Sequence, residues 1–600
     1  MGKKGSYTIE NIYQGGYSSF KPTPLGSSSY PIKTGDLGLT LNPQTMNQLK
    51  EVSDKTSTGI KHIEMEALSP EFFDNIPKQQ LKEINRLNKL TGVSVSVHGP
   101  VIDTTGVDPR RGGFSEADRV LAEKKVFKTL ARSNELNPDG NIPVNFHSAE
   151  GLPGSEFGPV RGKEGERVYK KIIAVNKESG RLVPLEEEER FYPGGKGGDI
   201  KHKVYTPMKN LEILNESEWD NSLSQLFFNK ERADELLNKN APVIEHLMKG
   251  IQEGKYEAKD IPEVQQKILK RTQDVQVYLS DLHKQANSLF SKAYKYGNDE
   301  QKKKLKQLSE QYSQELEKAP NIFGESQAMK NLLMGLQETD KQGRALLAPV
   351  MHVPIEEFAL EKSSQTFGNA AFKAYQEFGE RAPALVIENP PAGFALSTGE
   401  DVKELVDKSK EQFIKKAIEE GMSERKAKKA ADKLIGATLD VGHMNMLRKY
   451  DYSEEDIVKE STKMAPVLKH VHLSDNFGFE HTELPMGMGN VPFKKIMDKL
   501  GKKGFEAKKI IEAGQWWQQM GGAPLMATLE QVGPAMYSGR GGPYWNQNIG
   551  LQQDYFGGYG LMLPQINYET FGAGFSQLPA ELGGQRMGGA GSRMSGRPME

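Results

Sequence analysis

The sequence predicts an α/β protein: a (β/α)8 barrel with a large, mainly helical insertion between strands four and five, followed by a flexible Gly-rich C-terminal tail. Three observations lead there. Short apolar runs alternate with amphipathic helical stretches before residue 154, and the same rhythm resumes after residue 380. Such alternation marks a parallel sheet with helical crossovers. The stretch between is charged, Gln-rich and low in Gly. Counting gives four candidate strands on each side of it, and eight parallel strands with helical connections close into a barrel.

Residues 1–34 are rich in Gly, Ser, Tyr and Pro without helical or strand period, and read as an extended arm. In the first half of the barrel, residues 35–154, strand one is Leu37–Leu41 and strand two Ile60–Met65. Between them Met46, Leu49 and Val52 have helical spacing. Leu81, Ile84, Leu87 and Leu90 recur at i, i+3, one face of a helix. Strand three, Val93–Val97, precedes a helix over Glu116–Leu136 and strand four, Ile142–Phe146. Residues 155–380 form the insertion. It opens with a polar, Gly-rich stretch holding a hairpin, Val168–Val175 with Arg181–Pro184, and becomes almost wholly helical from Glu218. Its long charged helices read as a bundle with solvated faces. A coiled coil that binds a protein partner is the alternative, although no strict heptad persists. Over 381–532 the barrel resumes with strands Ala384–Ile387, Ile435–Leu439, Val467–Val471 and Lys508–Ile511 and helices between them. Residues 533–600 contain no Lys, are rich in Gly, Gln, Met and aromatics, and read as a flexible tail.

Composition removes several functions. Lys+Arg at 79 against Asp+Glu at 80 leaves a net charge of -1 over 600 residues, so there is no global basic excess of a dedicated nucleic-acid binder. Arg110-Arg111 and the run Lys302–Lys306 are local basic patches, without the interleaved aromatics of a single-strand platform. Cysteine is absent, which excludes disulfides, thiol nucleophiles and Cys-based zinc sites. No stretch approaches the roughly 18 apolar residues of a membrane helix. The N-terminus lacks the apolar core of a secretory signal. Gly2 and Ser6 fit the loose acylation pattern, a short pattern that often arises by chance. The chain thus reads as soluble and cytoplasmic, without a membrane partner.

The chemistry lies at the strand ends. Strand three runs into His98 (VSVHGP), strand four into His147 (VNFHSAEG) and strand five into Glu388 (LVIENP). Strand six runs into Asp440, with His443 three residues on (ATLDVGH), strand seven into His472 (VHLSD) and strand eight into Glu512 (IIEAG). One His after a strand is ordinarily a satisfied polar residue. Six consecutive strand ends of ligand type are better explained by convergence, because C-terminal strand ends of a barrel meet in one pocket. Mixed imidazole and carboxylate suits zinc foremost, with manganese or ferrous iron as alternatives. Glu64 and Glu66 near the end of strand two could also reach the pocket. Only one of them is expected to point inward, and neither receives a role.

The series HGP, FHS, IENP, LDVGH, HLSD, a His-containing loop before a GMGN turn, and IIEAG resembles the xylose-isomerase-like TIM barrel superfamily, in particular its endonuclease IV-like branch. The resemblance spans about Gly35–Gln515 without the insertion. It implies a metal-dependent enzyme holding one to three divalent ions. In the endonuclease IV pattern His98 and His147 hold one metal with Glu388, whose carboxylate bridges to a second metal held by Asp440, His472 and Glu512. His443 holds a third with two residues of the loop after strand seven. There the branch has Asp-x-His, whereas this chain has Phe479-Glu480-His481-Thr482-Glu483, so His481 and Glu483 supply the ligand types in reverse order and Glu480 is a neighbouring candidate. The implied activity is hydrolysis of a phosphodiester at apurinic sites in DNA. The alternative is isomerisation or epimerisation of a sugar or sugar phosphate, with Glu388 and Glu512 as the catalytic acid/base pair and Asp440 and His472 as ligands. A non-catalytic metal-binding scaffold is a third.

Overall fold

The computed structural model describes residues 34–532 except 44, 68–69, 109–112, 150, 163–164, 194–199, 240, 242–262, 320, 342 and 514–523, and also 593–594 and 597–598. The N-terminal arm through residue 33, Arg110-Arg111 and nearly all of the tail lie outside the described residues. The chain divides into two compact units, residues 1–19 with 35–522, and residues 20–34 with 523–600. In the second unit the described elements are a helix, Pro524–Val532, and an antiparallel pair of two-residue strands, Arg593–Met594 with Arg597–Pro598. Among the described residues no helix is long and apolar enough to cross a membrane.

Eight strands of the first unit close into a barrel: β1 (Leu37–Thr40), β2 (His62–Glu66), β3 (Ser94–His98), β4 (Pro143–His147), β5 (Ala384–Glu388), β6 (Ile435–Asp440), β7 (Leu468–Leu473) and β8 (Lys508–Ile511). Every neighbouring pair is parallel, and β1 closes on β8. This is the predicted architecture, with strand bounds moved by one or two residues. The connecting helices are α1 (Gln48–Thr56), α2 (Lys78–Thr91), α3 (Glu116–Ser133), α4 (Ile355–Phe378), α5 (Gly399–Glu419), α6 (Glu454–Lys463) and α7 (Phe493–Leu500). Their starts are written in the sequence. Ser115 accepts a hydrogen bond from Asp118 N, while Thr398 with Asp401 and Ser453 with Asp456 form reciprocal capping boxes.

Helix α4 fell inside the stretch read from sequence as insertion. It packs between α3 and α5: Arg119 donates to Thr366 Oγ1 at 3.1 Å, and the Phe372 and Phe413 rings meet edge to face at 5.5 Å. The fourth crossover of the barrel is therefore α4, and the intervening chain returns to the barrel near residue 355. Its continuous amphipathic pattern hid that boundary, because a bundle helix and a barrel helix share one period.

The intervening chain has two parts. The predicted hairpin is present as Arg167–Asn176 paired antiparallel with Leu182–Glu186. It joins Glu156–Arg161 and His352–Pro354 in a four-stranded sheet. Arg167 reaches Asp401 of α5 at 2.5 Å and Arg161 reaches Glu400 at 2.6 Å, tying this sheet to the barrel. The second part is helical: Pro207–Asn238, Glu263–Tyr296, Asp299–Lys318 and Ile322–Leu336. It buries its own core, including Trp219, Leu223, Leu282, Leu305, Leu332 and Leu333. Helix begins at Pro207, earlier than the expected Glu218, where Thr206 caps it with Pro at the first turn.

Asn215, two turns into that first helix, bonds the backbone of Met351 and His352 at 3.0 and 2.7 Å, so the chain leaves and returns at nearly one place. Replacing residues 217–347 by a short Gly/Ser linker should yield soluble barrel with its circular dichroism and cooperative melting retained. Recovery only as aggregate would show that the helices are needed to cover the barrel.

Candidate metal centre

Alternation along each strand puts residues i and i+2 on one face, so the inward faces can be read directly: His62, Glu64 and Glu66 on β2; Ser94, Ser96 and His98 on β3; Asn145 and His147 on β4; His470 and His472 on β7. The expectation that only one of Glu64 and Glu66 points inward is therefore corrected. Two apart on one strand, they share the interior face. Glu64 is fully buried, and Glu66 lies near enough to His98, Glu64 and Glu483 to feel their charge. Burial pushes the Glu66 carboxyl up to about 7.

Glu388 sits at the centre. In register it lies beside His147 of β4 and Thr438 of β6. Its two oxygens face different groups. Oε2 is 3.5 Å from His98 Nε2 and 3.5 Å from His147 Nε2, and accepts a hydrogen bond from Asn145. Oε1 is 3.0 Å from His472 Nδ1 and 3.6 Å from His443 Nδ1. Asp440 lies in register beside His472, and Glu512 Oε2 is 2.8 Å from His472 Nδ1. Glu388, Asp440, His472 and Glu512 offer ligand atoms that all lie within 4.8 Å of one another, and so do His98, Glu388 and His472.

The surrounding backbone orients these donors. His98 Nδ1 bonds the Gly99 carbonyl at 3.0 Å, and a carbonyl only accepts, so Nδ1 carries the proton and Nε2 turns to the carboxylates. By the same logic His443 Nδ1 donates to the Asn389 carbonyl at 2.9 Å. Its Nε2 then meets His481 Nε2 at 2.7 Å, and Glu483 Oε1 lies 3.6 Å from that same His481 nitrogen. Asp440 caps the short helix Val441–Asn445 through the His443 amide at 2.7 Å. The loop carrying His481 is anchored by the buried Asp475, which accepts from the amides of Asn476, Gly487 and Val491 at 2.9, 2.7 and 3.0 Å. A Cβ on Gly489 would lie 2.3 Å from the Asn476 carbonyl, so the GMGN turn requires glycine there.

All nine residues singled out as ligands thus meet in one connected cluster at the C-terminal end of the barrel. His481 is the most exposed, at 39% of its side chain, and Glu480 faces solvent without joining it. Sequence reasoning gave Glu64 no role and passed over Ser96, Asn145 and His470. The period-two patterns HIEME, SVSVH and HVH carried that signal, since each continues the polar face one layer below the strand end.

Electrostatically the cluster suits a cation. The ionic partners of Glu388 and Glu512 are histidines. Burial alone would raise Glu388, but His472 and His147 outweigh it and hold the carboxylate well below its usual range. Burial likewise opposes a charge on His98, yet Glu388 and Glu512 lift it to about 10. His472, between carboxylates at both ring nitrogens, is also held well above its ordinary value against burial. Glu512 is pushed well above a normal carboxylate by burial. Buried carboxylates converging face to face need compensating positive charge, and mixed imidazole and carboxylate donors fit a divalent metal of the zinc or manganese kind.

A closed eight-stranded barrel with ligand-type residues gathered at its C-terminal strand ends defines the class, an α/β barrel able to hold metal. Residues 373–521, the second half of the barrel, match the family described as xylose isomerase-like TIM barrel. An uncharacterised protein of Methanocaldococcus jannaschii is 30% identical over 80 residues, 13% of this chain, and the chain spans about a quarter (26%) of that relative's length. Among solved structures, a D-tagatose 3-epimerase-like protein aligns with 83% of this chain and 99% of its own at 12% identity and a TM-score of 0.33. D-psicose 3-epimerase from Clostridium cellulolyticum H10 aligns with 80% of this chain and 84% of its own, at 9% identity and a TM-score of 0.32.

Histidines held charged by their carboxylates must lose protons before a metal can take their place. Metal uptake should therefore release protons, and affinity should rise with pH by roughly tenfold per unit for each proton displaced. Calorimetry in buffers of different ionisation enthalpy checks this; a pH-independent affinity would contradict the protonation assigned to His98 and His472.

Proposed function

We propose that this barrel is a metal-dependent phosphodiester hydrolase of the endonuclease IV type, with apurinic-site DNA as its substrate class. One observation carries the reading. The two oxygens of Glu388 address separate histidine sets, His98 with His147 on one side and His472 on the other, as a carboxylate bridging two metals would. The 2.7 Å approach of His443 and His481 extends the same cluster toward a third site. Bound divalent ions, zinc foremost, would supply a nucleophile at neutral pH and neutralise phosphate charge.

The chain's own residues do the rest. His98, His147 and Glu388 would hold one ion; Glu388, Asp440, His472 and Glu512 a second; His443, His481 and Glu483 a third. Glu512, 16% exposed, lies at the solvent edge of the quartet; in the isomerase alternative it and Glu388 would be the acid/base pair. Backbone carbonyls of Gly99 and Asn389 keep His98 and His443 in the ligating tautomer. Lys302–Lys306 lies on the helix Asp299–Lys318, where Lys303, Lys304 and Lys306 are exposed and available to phosphates. We place the protein in the cytoplasm, and assign the helical part of the insertion to contact with a protein partner.

A second reading rests on the quartet of Glu388, Asp440, His472 and Glu512, which suffices for one metal and an acid/base pair. It would serve a sugar or sugar-phosphate isomerase or epimerase, in which His98 and His147 are dispensable. The double variant His98→Ala/His147→Ala separates the two. Loss of one metal equivalent together with cleavage of abasic-site DNA supports the hydrolase. Retained metal stoichiometry and turnover of a ketose panel supports the isomerase. Glu388→Gln should lower turnover by more than about 100-fold, beyond the loss typical of an outer-shell partner. Unchanged turnover of any substrate would leave a metal-binding scaffold.

A further inference from the structure

We infer that Glu64 is a positioning residue that fixes the ring of His472 so that Nδ1 is its metal-binding atom. The inference rests on the metal-centre reading and adds a residue to it. Glu64 is fully buried inside the barrel, one layer below the strand ends. In register it lies beside Thr40 of β1 and Ser96 of β3. Its two oxygens have separate tasks. Oε1 lies 2.9 Å from His472 Nε2. Oε2 is 3.0 Å from His470 Nε2 and 2.6 Å from Ser96 Oγ.

The Glu64–His472 contact is an ion pair at 2.9 Å, and the negative charge of Glu64 favours a proton on the His472 nitrogen that faces it. The opposite nitrogen, Nδ1, is the one turned to Glu512 at 2.8 Å and Glu388 at 3.0 Å. Rotating the ring by half a turn would carry Nε2 away from Glu64, turn a ring carbon to Oε1 and lose the ion pair. The outer-shell carboxylate therefore selects both the tautomer and the orientation of the ligand. His470 and Ser96 hold the carboxylate itself, so its aim does not depend on His472 alone. Barrel interiors at this depth are ordinarily filled by branched apolar side chains, and a fully buried carboxylate in their place calls for a task that Val or Leu could not perform.

The test uses the full chain, Co2+ as a spectroscopic probe and Zn2+ in competition with a chelator. Glu64→Gln keeps the shape but removes the negative charge beside His472 and leaves one accepting oxygen for His470 and Ser96. It should weaken metal binding by about 10- to 100-fold and shift the cobalt absorption band. Ser96→Ala removes a donor from Oε2 and leaves the His472 contact intact, so it should hold metal within about threefold of wild type. If the Gln variant is not recovered folded, Glu64→Asp, which shortens the same carboxylate, carries the test with the same expected direction. Wild-type affinity and spectrum in a folded Glu64 variant would overturn the inference while leaving the metal centre standing. Loss of one whole equivalent with the others unchanged would overturn it too, by making Glu64 a ligand. Failure of wild type to take up cobalt or zinc would instead overturn the metal-centre reading itself.

Discussion

The carboxylate of Glu388 is the constraint on which the site depends. It is fully buried, and a buried charge persists only where opposite charge and hydrogen bonds surround it. Histidines from β3, β4 and β7, His443 just beyond β6 and the amide of Asn145 all point at it. None of these elements could shift by a residue without stranding a charge, because a one-residue slip would turn its side chain out of the barrel. The chemistry of the site and the register of the sheet are thus one arrangement.

Polar character does not stop at the strand ends. Below the ligands lies a layer of Glu64, Ser96, Asn145 and His470, and below that His62 meets Ser94 at 2.5 Å. Burial pushes the His62 ring down to about 4, so this lowest member is neutral at pH 7. The barrel gives up apolar packing on its β2, β3 and β7 side and retains it outside, where α3, α4 and α5 cover the strands with Val126, Phe367 and Phe413.

The insertion obeys the same division. Its sheet is clamped to α5 by arginine–carboxylate pairs, and its helices keep a separate apolar core. An interruption between β4 and β5 leaves the pairing of those strands intact, with Glu388 still beside His147. The centre is assembled across a break of more than two hundred residues because parallel pairing needs adjacency in space alone.

Local sequence determined a good deal. The alternation of strand and helix, the helix caps at Ser115, Thr398 and Ser453, the hairpin near residue 178 and seven ligand-type residues at the strand ends are readable without coordinates, since each depends on near neighbours in the chain; His481 and Glu483 came only from the family resemblance. Local sequence misplaced the end of the insertion, because α4 has the same helical period as the bundle before it. It also gave no role to Glu64, whose partners His470 and His472 lie about four hundred residues away. Which oxygen of Glu388 faces which histidine, which nitrogen of His472 is turned upward, and how His481 comes to meet His443 were decided by tertiary structure alone. Those are distances between strands, and only closure of the barrel, joining β1 to β8, brings them to a few ångströms.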